Sequence, residues 1–241
     1  MTDRPILFSG PMVRALLERR KSQTRRVLKP QPLQYTQARG TDNEHQRVSI
    51  EGRGCGWDGP LKALDDDDAF IFYACIGYAP GDLLYVREAW HAEAGYDSDP
   101  PREIPFDACC TLYTADGRWS DYDFMNGAGR ARAGMHMPRW ASRLTLRVTE
   151  VRVQRLQEIS EEDAKAEGAD FDCEPCDHAR RTCVEIGCAG PGYRGGFAEL
   201  WQSLNAERGF GWDVNPWVVA VSFDVIPENI DAVKAREHSH A

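Results

Sequence analysis

Arg19-Arg20-Lys21-Ser22-Gln23-Thr24-Arg25-Arg26 is the stretch on which the fold and the chemistry of this chain turn. It gathers an amine, a threonine hydroxyl and four guanidinium groups directly after a short amphipathic segment. Lys21 and Thr24 are three positions apart, a spacing that lets two side chains meet on one face of a turn or helix end. Arg19, Arg20, Arg25 and Arg26 surround that pair. A crowd of cations disfavours one more, so the Lys21 amine is expected to lose its proton more easily than a free lysine. A neutral amine beside a hydroxyl is one way to build an activated nucleophile. The same residues also suit a basic surface turn that contacts phosphate.

Working outward, Pro5-Ile6-Leu7-Phe8 reads as a strand and Ser9-Gly10 as a turn. Pro11 suits the first position of a helix whose apolar stripe is Met12, Ala15, Leu16 and Leu17, ending near Arg19. Residues 31–68 are polar and glycine-rich, and Asp65 to Asp68 read as a solvated loop. After the turn at Ala79-Pro80-Gly81-Asp82, Leu83 to Val86 is a buried strand that runs on to Trp90. Residues 91–136 look irregular, an insertion and not a core element. Leu144, Leu146 and Val148 alternate with polar residues as in a half-buried strand, continued by Val151 and Val153 after a phase shift at Glu150. Ser160 starts a helix with Asp163 in a capping-box-like position, and Gly168 stops it. Phe197, Leu200, Trp201 and Leu204 predict a helix over 195–206, and Trp217, Val219, Val221, Phe223 and Val225 a closing strand. The pattern is α+β. It predicts one domain over 1–230 with insertions at about 31–75, 91–136 and 169–194, and a flexible tail over 231–241.

The chain has 241 residues, 42% of them hydrophobic and 28% charged, as in ordinary globular proteins. A formal net charge of −9 excludes a protein that coats nucleic acid non-specifically. Charge is uneven, however: seven Lys or Arg and one acid, Glu18, lie between Arg14 and Lys29. An acidic body with one basic patch suits a small anionic ligand or one nucleotide within a polymer. No apolar run approaches a membrane span, and Met1 to Pro5 lacks the apolar stretch of a signal peptide, so a cytoplasmic protein is expected. Eight cysteines then point to metal or free thiols. Cys173-x2-Cys176-x6-Cys183-x4-Cys188 has the pairing that places four sulfurs around a structural Zn²⁺, with His178 as an alternative ligand. Reduced thiols in a loop are the other reading. Four protein ligands would leave no open position for water, so the metal is not expected to be catalytic.

Lys21-Ser22-Gln23-Thr24-Arg25-Arg26 resembles the signature Gly-x-Lys-x-x-Thr-x-Arg of the ASCH superfamily, which has PUA-like folds. Gly81-Asp82-Leu83-Leu84-Tyr85-Val86 is similar to that family's Gly-Asp strand, Leu156 to Gly168 to its following helix, and Trp217 to Ile226 to its final strand. Over most of its length the chain also resembles larger ASCH proteins common in bacteriophages and prophages. The resemblance implies a mixed β-barrel with a few short helices and long inserted loops. The signature's glycine is Arg19 here, which costs on the order of 1 kcal/mol if that position is left-handed.

The superfamily contains nucleic-acid binders and enzymes. Among its compact bacterial members are amidohydrolases that remove the acetyl group of N4-acetylcytidine with the signature lysine and threonine and a glutamate of the following helix. Carried onto this chain, the resemblance implies Lys21, Thr24 and Glu167 as catalytic residues. Lys21 would take the Thr24 proton, Thr24 would attack the acyl carbonyl, and Glu167 would help protonate the departing amine. A carboxyl in the last helical turn meets the negative end of the macrodipole, which suits a group that holds and donates a proton. Arg26 would hold the oxyanion or orient the base. Arg20, Arg25 and Arg26 are candidate substrate contacts, and Tyr85, Trp90 and Trp140 either stack on a base or belong to the core. No cofactor is expected for catalysis. The alternatives are an RNA or modified nucleic-acid binding module of PUA type, and a ribonuclease. The expected partner is a modified nucleoside, nucleotide or single-stranded nucleic acid in a bacterial or phage-infected cell, with no membrane and no obligate protein partner.

Overall fold

A computed structural model describes residues 3–29, 31, 47–50, 60–64, 70–73, 77–106, 110–117, 127–171 and 191–239, with backbone only for 47–50, 60–64 and 70–73. In chain order the elements are β1 (Asp3–Leu7), α1 (Gly10–Leu17), β2 (Gln23–Val27), β3 (Arg47–Ile50), β4 (Pro60–Leu64), β5 (Phe70–Tyr73), β6 (Leu83–Arg87), β7 (Trp90–His91), β8 (Leu112–Tyr113), β9 (Thr145–Arg155), α2 (Glu161–Ala166), α3 (Tyr193–Asn205), β10 (Trp217–Ile226) and α4 (Ile230–Ser239). The architecture is mixed α and β. Five strands follow one another along a ladder in the order β1-β6-β9-β10-β2, with β1 parallel to β6 and the β6–β9 and β10–β2 pairs antiparallel. Among the described residues this sheet is open and not closed into a barrel. No described helix is long and apolar enough to cross a membrane.

The chain divides into two compact units. The first comprises Met1–Ser22, Gly81–Val148 and Phe223–Ala241, the second Gln23–Pro80 and Thr149–Ser222.

In the first unit, α1 buries Val13, Ala15 and Leu16, while Leu17 is 41% exposed. Ala15 and Leu16 are buried as expected, while Val13 completes the buried stripe in place of Met12 and Leu17. The helix ends in a Schellman arrangement: the Arg20 N–H reaches the Ala15 carbonyl at 2.8 Å and the Arg19 N–H that of Leu16 at 3.0 Å. That closure needs a left-handed residue, and Arg19 supplies it at φ +58°. Glycine is the usual occupant, so the arginine carries the cost anticipated from its departure from the signature. The expected insertion at 91–136 has a core of its own: Trp90, Ala92, Ile104, Met137 and Ala141 are all buried, with Tyr96, Tyr113 and Trp140 packed against them. The expected flexible tail is α4 from Ile230 to Ser239. Ile230 and Val233 bury against Leu83 and Tyr85, which holds the helix down. Lys234 and Arg139 also grip the Asp3 carboxyl and hold it below the usual carboxylate range.

In the second unit, part of the expected 31–75 insertion is a three-stranded antiparallel sheet in the order β3-β4-β5. Leu156, Ile159, Ala164, Ala169, Phe197, Ala198, Trp201, Trp212 and Val218 form the hydrophobic core, with α2 and α3 contributing from one side. Ser160 caps α2 by accepting the Asp163 N–H at 3.0 Å, and Gly168, at φ +78°, stops it.

Candidate functional site

Lys21 belongs to the first unit and is buried, with 1% of its surface exposed. The Schellman turn puts it there, its own N–H bonding back to the Ala15 carbonyl at 3.0 Å. Its Nζ lies 5.6 Å from the centre of the Phe8 ring. Lysine almost never sits at such burial without a purpose or a partner.

Thr24, Arg25, Arg26 and Glu167 belong to the second unit. Thr24 was expected in a turn and is instead in β2, paired with Val221 of β10. Successive side chains of a strand point to opposite faces. Gln23 and Arg25 therefore share one face, and a hydrogen bond from Gln23 to Ser222 of β10 at 3.1 Å fixes it. Val27 continues that face and packs on the helical core. Thr24 and Arg26 share the opposite face, Thr24 buried at 3% exposure and Arg26 half-buried.

The helix-covered face holds a polar network that the residue pattern did not announce. Arg25, expected to meet substrate, is buried and directs its guanidinium inward. Its Nη1 donates to Glu167 Oε1 at 3.1 Å and to Gln23 Oε1, and its Nη2 to Asp163 Oδ2 at 2.8 Å. The Phe197 ring centre lies 5.8 Å from the guanidinium carbon. Asp163 also receives Gln23 Nε2 at 3.1 Å and Arg152 Nη2 at 3.0 Å. Burial works against the Asp163 carboxylate, but hydrogen bonds from Arg152 and Gln23 and the charges of Arg25 and Arg152 outweigh it and hold its carboxyl below the usual range. Glu167 caps the C-terminus of α2 and is 4% exposed. It is thus a helix-end acid facing a guanidinium, not the dipole alone. The structure brings Glu167 together with Arg25, Gln23 and Asp163; Thr24 points to the other face of the same strand. One sequence signal was available for the missed member: Asp163 and Glu167 are i and i+4 along α2, hence on one helix face.

The remaining candidates fall elsewhere. Arg20 is exposed and pairs with Glu18 at 2.7 Å. Trp90 is fully buried, edge-on to Trp140 at 6.1 Å and with the Arg132 guanidinium over its ring. Trp140 is half-buried in the same cluster. Tyr85 is 8% exposed, with Arg87 and Arg139 each 5.4 Å from its ring centre. These three rings serve the interior of the first unit. Among the described residues no group of His, Cys, Asp or Glu could hold a metal ion. Cys173, Cys176, Cys183, Cys188 and His178 lie outside the described residues. A second buried polar cluster occurs in the first unit, where Arg143 forks between Glu88 and Asp116 over the Tyr113 ring.

No family model, curated protein or solved structure matches the chain.

Proposed function

We propose that this chain is an ASCH-type amidohydrolase with a PUA-like fold, acting on an acyl amide of a modified cytosine nucleoside or related base in the cytoplasm of a bacterial or phage-infected cell. The observation that carries the proposal is the burial of the motif: Lys21, Thr24 and Glu167 are 1%, 3% and 4% exposed. A lysine, a threonine and a glutamate withdrawn from water are what nucleophilic chemistry uses and what a phosphate-binding surface does not. The inward course of Arg25 weighs the same way against a nucleic-acid reader.

In this mechanism Lys21 Nζ takes the hydroxyl proton as Thr24 Oγ bonds to the acyl carbon. Arg26, on the Thr24 face of β2, stabilises the oxyanion. The C–N bond breaks as Glu167 delivers a proton to the departing amine. Water then cleaves the threonyl ester and releases the acid; Lys21 returns its proton to Thr24 Oγ and Glu167 regains one from water.

Liquid chromatography of N4-acetylcytidine incubated with the protein tests the proposal. The wild type is expected to release cytidine and acetate, and Lys21→Met or Thr24→Val to lose turnover by about 10³-fold or more while keeping the wild-type circular dichroism. Full turnover by Thr24→Val would remove the nucleophile from the mechanism, and RNA shortened without acid release would favour a ribonuclease. For Cys173, Cys176, Cys183 and Cys188 we propose a structural Zn²⁺. Elemental analysis is expected to find one zinc per chain, reduced in Cys173→Ser; metal-free protein with wild-type stability would exclude it.

A further inference from the structure

We infer that Arg155 and Trp217 form a binding site for a phosphate group, carried by the free ion or by a nucleotide. Both residues belong to the second unit, and the inference does not depend on Lys21, Thr24 or Glu167. The Arg155 guanidinium lies over the Trp217 ring, 4.6 Å from its centre. Arg155 is half-buried, and its guanidinium donates from Nη1 to the Asn215 carbonyl at 3.2 Å. Among the described residues no carboxylate bonds to that guanidinium: Glu158 takes the Arg155 backbone N–H instead, at 2.9 Å. Burial holds the guanidinium below its ordinary value, and the Glu158 charge opposes this. Arg25, the other withdrawn arginine of this unit, is by contrast met by Asp163 and Glu167. Trp217 is 5% exposed, and its Nε1 is buried without a hydrogen-bond partner, a state in which indole N–H groups are seldom left. A cation with no carboxylate bonded to it and a donor with no acceptor thus meet on one indole. Both are held in place. Gln31 pins the Trp217 backbone through its N–H at 2.8 Å and its carbonyl at 2.9 Å. Asn215, left-handed at φ +46°, turns its carbonyl to Arg155 while its side chain takes the Gln157 N–H at 2.8 Å. The donors occupy two levels, since the guanidinium lies over the ring and the indole N–H points along it. A tetrahedral oxyanion has oxygens for both, whereas a planar carboxylate is used up by one edge of the guanidinium.

Isothermal titration calorimetry of the full chain with inorganic phosphate, cytidine 5′-monophosphate and cytidine tests the site. At least one of the two phosphate compounds is expected to bind the wild type. Arg155→Met keeps a side chain over the Trp217 ring and removes the charge, and should weaken that binding about 10-fold or more, the effect of losing charge-assisted hydrogen bonds. Trp217→Phe keeps a ring and removes the N–H, and should weaken it severalfold; it carries the test where circular dichroism shows that Arg155→Met does not fold. Arg102→Met removes an exposed cation of the first unit and should bind as the wild type does. Inorganic phosphate that binds as tightly as the monophosphate identifies the free ion as the occupant, and a tighter monophosphate identifies a nucleotide. A wild type that binds neither phosphate compound overturns the inference. Wild-type affinity in folded Arg155→Met, or in Trp217→Phe where Arg155→Met does not fold, overturns it as well. So does an equal loss of cytidine binding in the variant, since cytidine carries no phosphate.

Discussion

Gly196→Ala lowers the melting temperature of the protein by about 10 °C, corresponding to roughly 3 kcal/mol in a chain of this size. Gly196 lies in the first turns of α3, where a Cβ would stand 2.0 Å from the carbonyl oxygen of Asp170 and 3.0 Å from its carbonyl carbon. The obstacle is backbone, so no rotamer change relieves it. Asp170 follows directly on Ala169, which is buried in the same core as Phe197 and Trp201. Parting the two segments by the ångström or more that a methyl group requires therefore opens the core around Ala169 and Phe197 as well. The ordinary gain from replacing glycine in a helix, about 0.5–1 kcal/mol, is too small to offset this. Gly95→Ala is the control, because a Cβ there meets nothing within 4 Å. It should melt within about 2 °C of the wild type. Equal melting of Gly196→Ala and Gly95→Ala would show that α3 does not approach Asp170 as described.

The elements with a clear period were legible in the sequence, and those whose period is masked by charge were not. β9 and β10 follow the alternation and α3 the i, i+3, i+4 spacing of their apolar residues, β6 is a continuous apolar run, α2 is bracketed by Ser160 and Gly168, and each was expected close to where it stands. β2 was missed because Gln23, Arg25 and Arg26 make it look like a polar loop. It is a strand because β10 pairs with it and because the buried cation is answered by Asp163 and Glu167, more than a hundred residues along the chain. No local pattern carries that information. α4 was missed for a related reason. It has only a short apolar stretch, and its anchors, Asp3 and the Leu83–Tyr85 surface, are far away in sequence. The site was legible to the same degree: Lys21, Thr24 and Glu167 emerged as residues, but the division of β2 into a Thr24–Arg26 face and a Gln23–Arg25 face depends on the strand that was not seen. The aromatic candidates Trp90 and Tyr85 illustrate the opposite limit, since a large ring after a buried strand is equally suited to a core and to a ligand.

Arg143→Met destabilises the protein by about 3–5 kcal/mol near neutral pH, and the loss shrinks on acidification. Glu88 is only 1% exposed, and Arg143 answers it with a fork of 3.0 and 3.1 Å while gripping Asp116 at 2.8 and 2.7 Å. The guanidinium lies 3.9 Å from the centre of the Tyr113 ring, so methionine keeps much of the packing and removes chiefly the charge and the fork. Burial pushes the Glu88 carboxyl above its ordinary value of 4.5, Arg143 pulls it back through hydrogen bonds and charge, and the Asp116 carboxylate raises it again. With the folded value above the unfolded one, the stability linked to this group is complete below about pH 4.5 and is lost as pH rises through the folded value. Removing Arg143 deletes the opposing influence, so the folded value climbs further and more stability is lost at neutral pH. As the pH falls through the folded value Glu88 loses its charge in both proteins, and the uncompensated charge that makes the variant weak fades with it. Asp3 and Asp163, whose carboxyls are held low, weaken both proteins alike as the pH falls and drop out of the difference. Urea unfolding of wild type and variant at pH 7 and pH 4 reads the two gaps. A gap that stays constant with pH would mean that packing on Tyr113, and not the buried charge of Glu88, is what Arg143 supplies.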